Sequence, residues 1–384
     1  MNFGQIPGNN NVKKQLSIAV EHDRISHAHL FCGDDGSSNL AMAWAFAKYL
    51  SCQDRKESDS CGQCSACLKQ SKLSHPDVHW VFPVTTGKGA NPTSDMFIED
   101  FRSFMLEQPF PYELDWNQKI GAANKQAFIG VKESSELAKK MILKPYEGSY
   151  RIVIIWLAHK MHAPAANKLL KLLEEPPEKT IFILVTSEKG QLLDTILSRV
   201  QSTDISAIND HEMNNYLNLN FELETSKRER IMLLSSGNLG QAIKMCQDQD
   251  RSVSLAPLFQ SWMRISYAAK IPELSRWIDS FVKLGREEQK EFIQYGLHML
   301  RECLVYNFGP SQLQRLNDQE LSFCKKFAPF INENNAESII EEFESAFAHI
   351  TRNASTKIVF MDLSLRLVLL LRTKSLTLQK SINQ

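Results

Sequence analysis

Three apolar runs interrupt a background of hydrophobic positions spaced for helices. His27-Ala28-His29-Leu30-Phe31-Cys32-Gly33 reads as a buried strand running into a glycine turn. Arg151-Ile152-Val153-Ile154-Ile155-Trp156 and Thr180-Ile181-Phe182-Ile183-Leu184-Val185-Thr186 are β-branched and nearly continuous. Runs without polar alternation suit strands covered on both faces, as in a parallel sheet. Between the last two, Leu169, Leu172 and Leu173 share one helical face, and Pro176-Pro177 stop that helix. Strand, helix and strand across 151–186 predict a right-handed crossover in a mostly parallel sheet. The pattern then changes. Leu258 to Ala269, Pro272 to Leu284, Glu287 to Val305 and Ala336 to Leu371 carry apolar residues at helical spacing with few strand signals. The expectation is an α/β domain followed by an all-helical one.

Length and charge bound the function. At 384 residues the chain has room for roughly two or three domains of about 150 residues, and 43% hydrophobic content supports sizeable cores. Lys+Arg and Asp+Glu both total 44, so the chain as a whole has no electrostatic pull toward nucleic acid or an acidic membrane. The start Met1-Asn2-Phe3-Gly4-Gln5 is not a secretory signal, and the apolar stretch Ile358 to Leu371 is cut by Asp362 and Arg366. A cytoplasmic protein with no membrane partner is expected.

The first strand leads into the outline of a phosphate loop. Gly33-Asp34-Asp35-Gly36-Ser37-Ser38-Asn39-Leu40 occupies the place of G-x-x-x-x-G-K-[ST]. In that register Ser38 replaces the second glycine, Asn39 the lysine that reaches the β- and γ-phosphates, and Leu40 the hydroxyl that holds magnesium. Asp34 and Asp35 add negative charge where more would have to arrive. The loop of Gly33, Gly36 and Asn39 is therefore expected not to bind ATP. The end of the Arg151 strand repeats the loss: Trp156-Leu157-Ala158-His159 stand where acidic residues would hold magnesium and polarise water. His159 and His162 lack an evident third ligand and read as polar strand-end or helix-start residues.

Four of the eight cysteines cluster: Cys52, Cys61, Cys64 and Cys67 form C-x8-C-x2-C-x2-C, while Cys32, Cys246, Cys303 and Cys324 are scattered. Cys-x-x-Cys steps bring thiolates to about 2.3 Å from one ion, and Gly62 eases the bend. The reading is structural zinc with four sulfur ligands and no open position. Paired disulfides and an iron–sulfur cluster are the alternatives.

The strand 27–33, the cysteine spacing, His75-Pro76-Asp77-Val78, Ala166-Asn167-Lys168-Leu169-Leu170-Lys171-Leu172-Leu173-Glu174-Glu175-Pro176-Pro177 and Thr195-Ile196-Leu197-Ser198-Arg199 together resemble the bacterial clamp-loader subunits of DNA polymerase III. The match covers roughly residues 1 to 245. Within that family the absent lysine resembles the delta-prime type, which is related to gamma/tau but does not hydrolyse ATP. The resemblance implies an AAA+ phosphate-loop-type domain over 1–205, with a zinc module near 52–67 and an insertion near 84–127. A small helical lid over 206–248 and a helical collar over 249–384 would follow. Ser235-Ser236-Gly237-Asn238-Leu239-Gly240-Gln241-Ala242 resembles part of that lid. The implied partners are gamma/tau-type and delta-type subunits, the sliding clamp indirectly, and primed DNA through the assembly. Arg199, with Ser198 beside it, falls on the family's Ser-Arg-Cys motif, whose arginine acts in trans on ATP of the neighbouring subunit. Val200 stands here in place of the cysteine.

Two features are less specific. The 84–127 stretch is expected to form a helix near Asp95 to Leu106 and to pack on its own domain, and Gly87-Lys88-Gly89 reads as an exposed turn. Two other functions compete. An active gamma/tau-type ATPase is opposed by Asn39, Trp156 and Leu157; a stand-alone zinc-dependent DNA-binding protein is opposed by the neutral charge, although Arg55, Lys56, Lys69 and Lys72 flank the cysteines.

Overall fold

A computed structural model describes residues 1–373 apart from 57, 87, 88, 90, 123–126, 143, 248–254, 311–313, 315, 317, 352 and 353. The chain forms two compact units, Met1–Gln247 and Asp248–Gln384. The first is built on a five-stranded sheet of β1 (Ala28–Cys32), β2 (Val78–Val81), β3 (Arg151–Trp156), β4 (Thr180–Thr186) and β5 (Gln201–Asp204). The spatial order is β2-β3-β4-β1-β5, with every pairing parallel. This is the parallel α/β sheet expected from the three apolar runs.

Alternation along each strand divides the core into two layers. Phe31, Ile152, Ile154, Ile181, Ile183 and Val185 face the layer containing helix Asn39–Ser51, all of whose residues are buried. Leu30, Val153, Ile155, Phe182 and Leu184 face the other, with Leu137 and Met141 of helix Val131–Ile142 and Leu169 and Leu173 of helix Ala163–Glu174. That last helix stops before Pro176-Pro177, as expected. β5 is an edge strand with its residues largely exposed, which is why hydrophobicity did not reveal it.

The 84–127 stretch holds more structure than the single expected helix. Helix Ile98–Glu107 follows a 3₁₀ turn at Ser94–Phe97, and a second helix spans Glu113–Lys119. Phe101, Phe104 and Trp116 are buried against Trp156, so this segment is part of the domain core. Residues Gly87 and Lys88 of the expected turn lie outside the described residues.

Helices Asp210–Asn220, Thr225–Ser235 and Leu239–Gln247 complete the first unit. The second unit contains helices and no strand among its described residues. Its aromatic centre is Trp262, which packs on Trp277, Phe292, Phe343 and Phe360 and donates its indole N–H to Ser364 Oγ at 2.9 Å. The apolar stretch from Ala336 to Leu371 is two helices, Ala336–Thr351 and Thr356–Leu370, and a helix at Asp318–Phe327 was not foreseen. Among the described residues no helix is long and apolar enough to cross a membrane.

Candidate functional site

The four clustered cysteines meet. Their sulfurs all lie within 4.8 Å of one another, and Cys61 and Cys67 Sγ are 3.9 Å apart. That spacing is too long for a disulfide and matches the edge of about 3.8 Å of a tetrahedron with metal–sulfur bonds of about 2.3 Å. Backbone N–H groups of Cys61, Cys64 and Cys67 point at the sulfurs of Cys52, Cys61 and Cys64 at 3.3, 3.3 and 3.4 Å. Those from Cys64 and Gln63 pull the Cys61 thiol down to about 6, whereas burial pushes the Cys52 and Cys67 thiols up. Gly62 has φ +75°, the left-handed turn that Cys-x-x-Cys requires here. The donor set therefore fits a zinc ion, with Cys52, Cys61, Cys64 and Cys67 as its holders. The module is tied to the chain start by Asp59, whose carboxylate accepts the amides of Phe3 and Gly4 at 3.1 and 2.8 Å.

The loop 33–40 turns from β1 into helix Asn39–Ser51. Asn39 donates its amide to Gly33 O at 2.8 Å, so it bridges the loop's two ends as an uncharged group. Tyr112, just before helix Glu113–Lys119, lies on the apex: a Cβ at Gly36 would fall 2.3 Å from its ring. Its hydroxyl donates to Asn238 Oδ1 at 2.9 Å, and Asn238 Nδ2 donates to Asp35 O at 2.8 Å. The Gly240 amide donates to Gly36 O at 2.9 Å. Both oxygens of the Asp35 carboxylate accept the Glu113 amide, at 3.1 and 3.0 Å. Burial pushes that carboxyl up to about 7, against the opposing pull of the Glu113 amide.

Beyond β3, the strand end carries no carboxylate. Leu157 sits at φ +52°, and His159 pairs its Nδ1 with Thr186 Oγ1 at 2.9 Å. His162 begins helix Ala163–Glu174 and stacks on Phe128 at 4.4 Å. Neither histidine belongs to a metal-type cluster among the described residues. Arg199 lies between the short helix Asp194–Leu197 and edge strand β5. Its guanidinium donates to Thr195 O and Ser198 Oγ at 2.8 and 3.1 Å and pairs with Glu174 Oε1 at 2.7 Å, its side chain 35% exposed. Ser198 is exposed beside it.

A sequence model of the family described as DNA polymerase III, delta subunit, matches residues 8–209. The chain belongs to this family. It is 27% identical over 250 residues to DNA polymerase III subunit delta' of Bacillus subtilis, covering 65% of this chain and 62% of that protein. It is 24% identical over 325 residues to subunit delta' of Yersinia pestis, covering 82% and 80%. Subunit tau of B. subtilis is 27% identical over 259 residues, 66% of this chain but 38% of tau, so the chain spans well under half of that relative. The protein is thus a member of the clamp-loader family.

In this clamp-loader chain the structure brings together the residues that the sequence grouped and adds contacts that the sequence did not show. Cys52, Cys61, Cys64 and Cys67 come together as expected. Arg199 and Ser198 are neighbours on the surface. Taken singly, Glu174, Tyr112, Glu113, Asn238 and Lys244 carry no sequence signal of function, because their importance lies in contacts across 25 to 203 positions of chain. The Glu174-Glu175-Pro176-Pro177 motif was the one signal that could have pointed to the partner of Arg199.

Proposed function

We propose that this chain is a non-hydrolysing, delta-prime-type subunit of the DNA polymerase III clamp loader that presents Arg199 to ATP held by a neighbouring subunit. The observation that carries this reading is the asymmetry between two places: the loop 33–40 has Asn39 bound to its own Gly33 carbonyl where a phosphate lysine belongs, while Arg199 stays at the surface. A guanidinium brought to a γ-phosphate stabilises charge developing in phosphoryl transfer, an effect of about 10³ to 10⁵ in rate. In the free chain Glu174 holds the guanidinium in place, and a partner's polyphosphate would compete for it. Ser198 supports the arginine by accepting from Nη1, while Glu174 meets Nη2.

The same reading takes residues 206–248 as the lid, 249–384 as the collar that joins gamma/tau-type and delta-type subunits, and the cytoplasm as the site of action. The sliding clamp and primed DNA are engaged through the assembly. Structural zinc completes the first domain; bound by the four thiolates, it would cross-link the 52–67 loop and leave no ligand position open for catalysis.

The test is the DNA-stimulated ATPase of the reconstituted complex containing wild-type chain or Arg199→Ala. The expected result is no turnover by the isolated chain and a large loss with the variant at unchanged assembly. An unchanged rate rejects the finger, and turnover by the isolated chain replaces this reading with the gamma/tau-type ATPase.

A further inference from the structure

The phosphate-loop cleft is filled from within. Four groups from one short stretch of the insertion converge on it. The Tyr112 ring lies on Gly36, and the Glu113 amide binds the Asp35 carboxylate. Glu113 Oε1 meets Lys160 Nζ at 2.9 Å, from the turn after β3, and its Oε2 lies 4.0 Å from His159 Nε2. Asp115 Oδ1 meets Lys244 Nζ at 2.8 Å, from helix Leu239–Gln247. Lys244 also sits 4.3 Å from the Tyr112 ring centroid. Two cations reaching in from different elements are thus neutralised by carboxylates of one seven-residue helix.

The helix Leu239–Gln247 is bound to the same place. A Cβ at Gly240 would fall 2.6 Å from Phe110 O and 2.8 Å from Gly36 O, so loop, insertion and helix touch at backbone distance. Asn238 joins all three, accepting from Tyr112 and donating to Asp35. A phosphate approaching the loop apex would have to displace an aromatic ring.

We propose that residues 110–115 are a built-in occupant of the phosphate-loop cleft, holding the helices of 206–247 closed on the sheet without nucleotide. The segment supplies what a bound polyanion would otherwise supply: negative charge for Lys160 and Lys244, and a surface for the helix to close upon. This inference concerns the chain alone and stands whether or not Arg199 acts on a partner.

Hydrogen exchange of the full chain, followed by mass spectrometry, tests it. Tyr112→Ala should raise exchange in helix Leu239–Gln247 about tenfold, since a half-buried ring contact and a hydrogen bond are lost, while β1, β3 and β4 keep their protection. Asp115→Lys should loosen the same helix, and Asp115→Lys with Lys244→Asp should restore it. Millimolar magnesium ATP should leave the exchange of loop 33–40 in the wild-type chain unchanged. Unaltered exchange in both single variants, no rescue by the charge swap, or protection of the loop by magnesium ATP would each overturn the proposal.

Discussion

Asn39 stands at the position of a phosphate-loop lysine but is shorter and uncharged, and its side chain turns back onto the loop's own backbone. The amide binds Gly33 O, so the loop keeps its shape while losing the cation that would draw a polyphosphate. Cys64 is the residue on which the metal reading is most directly checked. Cys64→Ser should lower bound zinc below one equivalent and lower the thermal midpoint, read by atomic absorption and calorimetry; full zinc content with an intact fold would remove Cys64 from the ligand set. Asp35 has a pH signature. Its carboxyl is raised from 3.8 to about 7, chiefly by burial, with Glu113 and Asp115 adding to the rise and Lys244 opposing it. The folded chain therefore holds this proton more tightly than the unfolded chain, and stability declines as pH rises from about 4 to 7. Asp35→Asn should flatten that decline, so urea midpoints of variant and wild type should diverge in the variant's favour toward neutral pH.

At the scale of elements, the His75-Pro76-Asp77 motif acquires a physical explanation. The Asp77 carboxylate accepts the amides of Tyr146, Glu147 and Gly148, fixing the loop that delivers the chain into β3, and His75 Nδ1 accepts the Asp77 amide. Burial alone would raise the Asp77 carboxyl, yet the three amides hold it below its usual value. A depressed carboxyl contributes stability that is present above about pH 4 and lost as pH falls through the folded value. Asp77→Asn should cost about 1 to 3 kcal/mol at neutral pH, with the difference shrinking in acid, measured by urea unfolding at several pH values. The expected helix near Asp95 to Leu106 is present as Ile98–Glu107 behind the 3₁₀ turn Ser94–Phe97, whereas its neighbour Glu113–Lys119 carries no sequence signal. Seven residues with one buried tryptophan carry too little periodicity to announce a helix. The strands β1, β3 and β4 were legible because burial on both faces writes a continuous apolar run; β5, exposed at the edge, writes none.

For the whole molecule, the zero formal charge has a direct consequence. Affinity for DNA grows with the number of phosphates neutralised, so a chain with balanced charge should not retain a primed duplex alone at physiological salt. The isolated chain should give no electrophoretic shift, and the reconstituted complex should give one; a tight, salt-sensitive shift by the chain alone would revive the stand-alone DNA-binding reading. Family membership, the parallel sheet, the crossover through helix Ala163–Glu174 and the four-cysteine spacing were all determined by the sequence itself, since each is encoded by local pattern or fixed intervals. The tertiary structure alone decided that Glu174 holds Arg199 and that Tyr112 covers Gly36 with Asn238 beside it. Those contacts join segments far apart in the chain. Their partners are chosen by how the insertion and helix Leu239–Gln247 pack against the sheet, a packing that no single stretch of residues specifies.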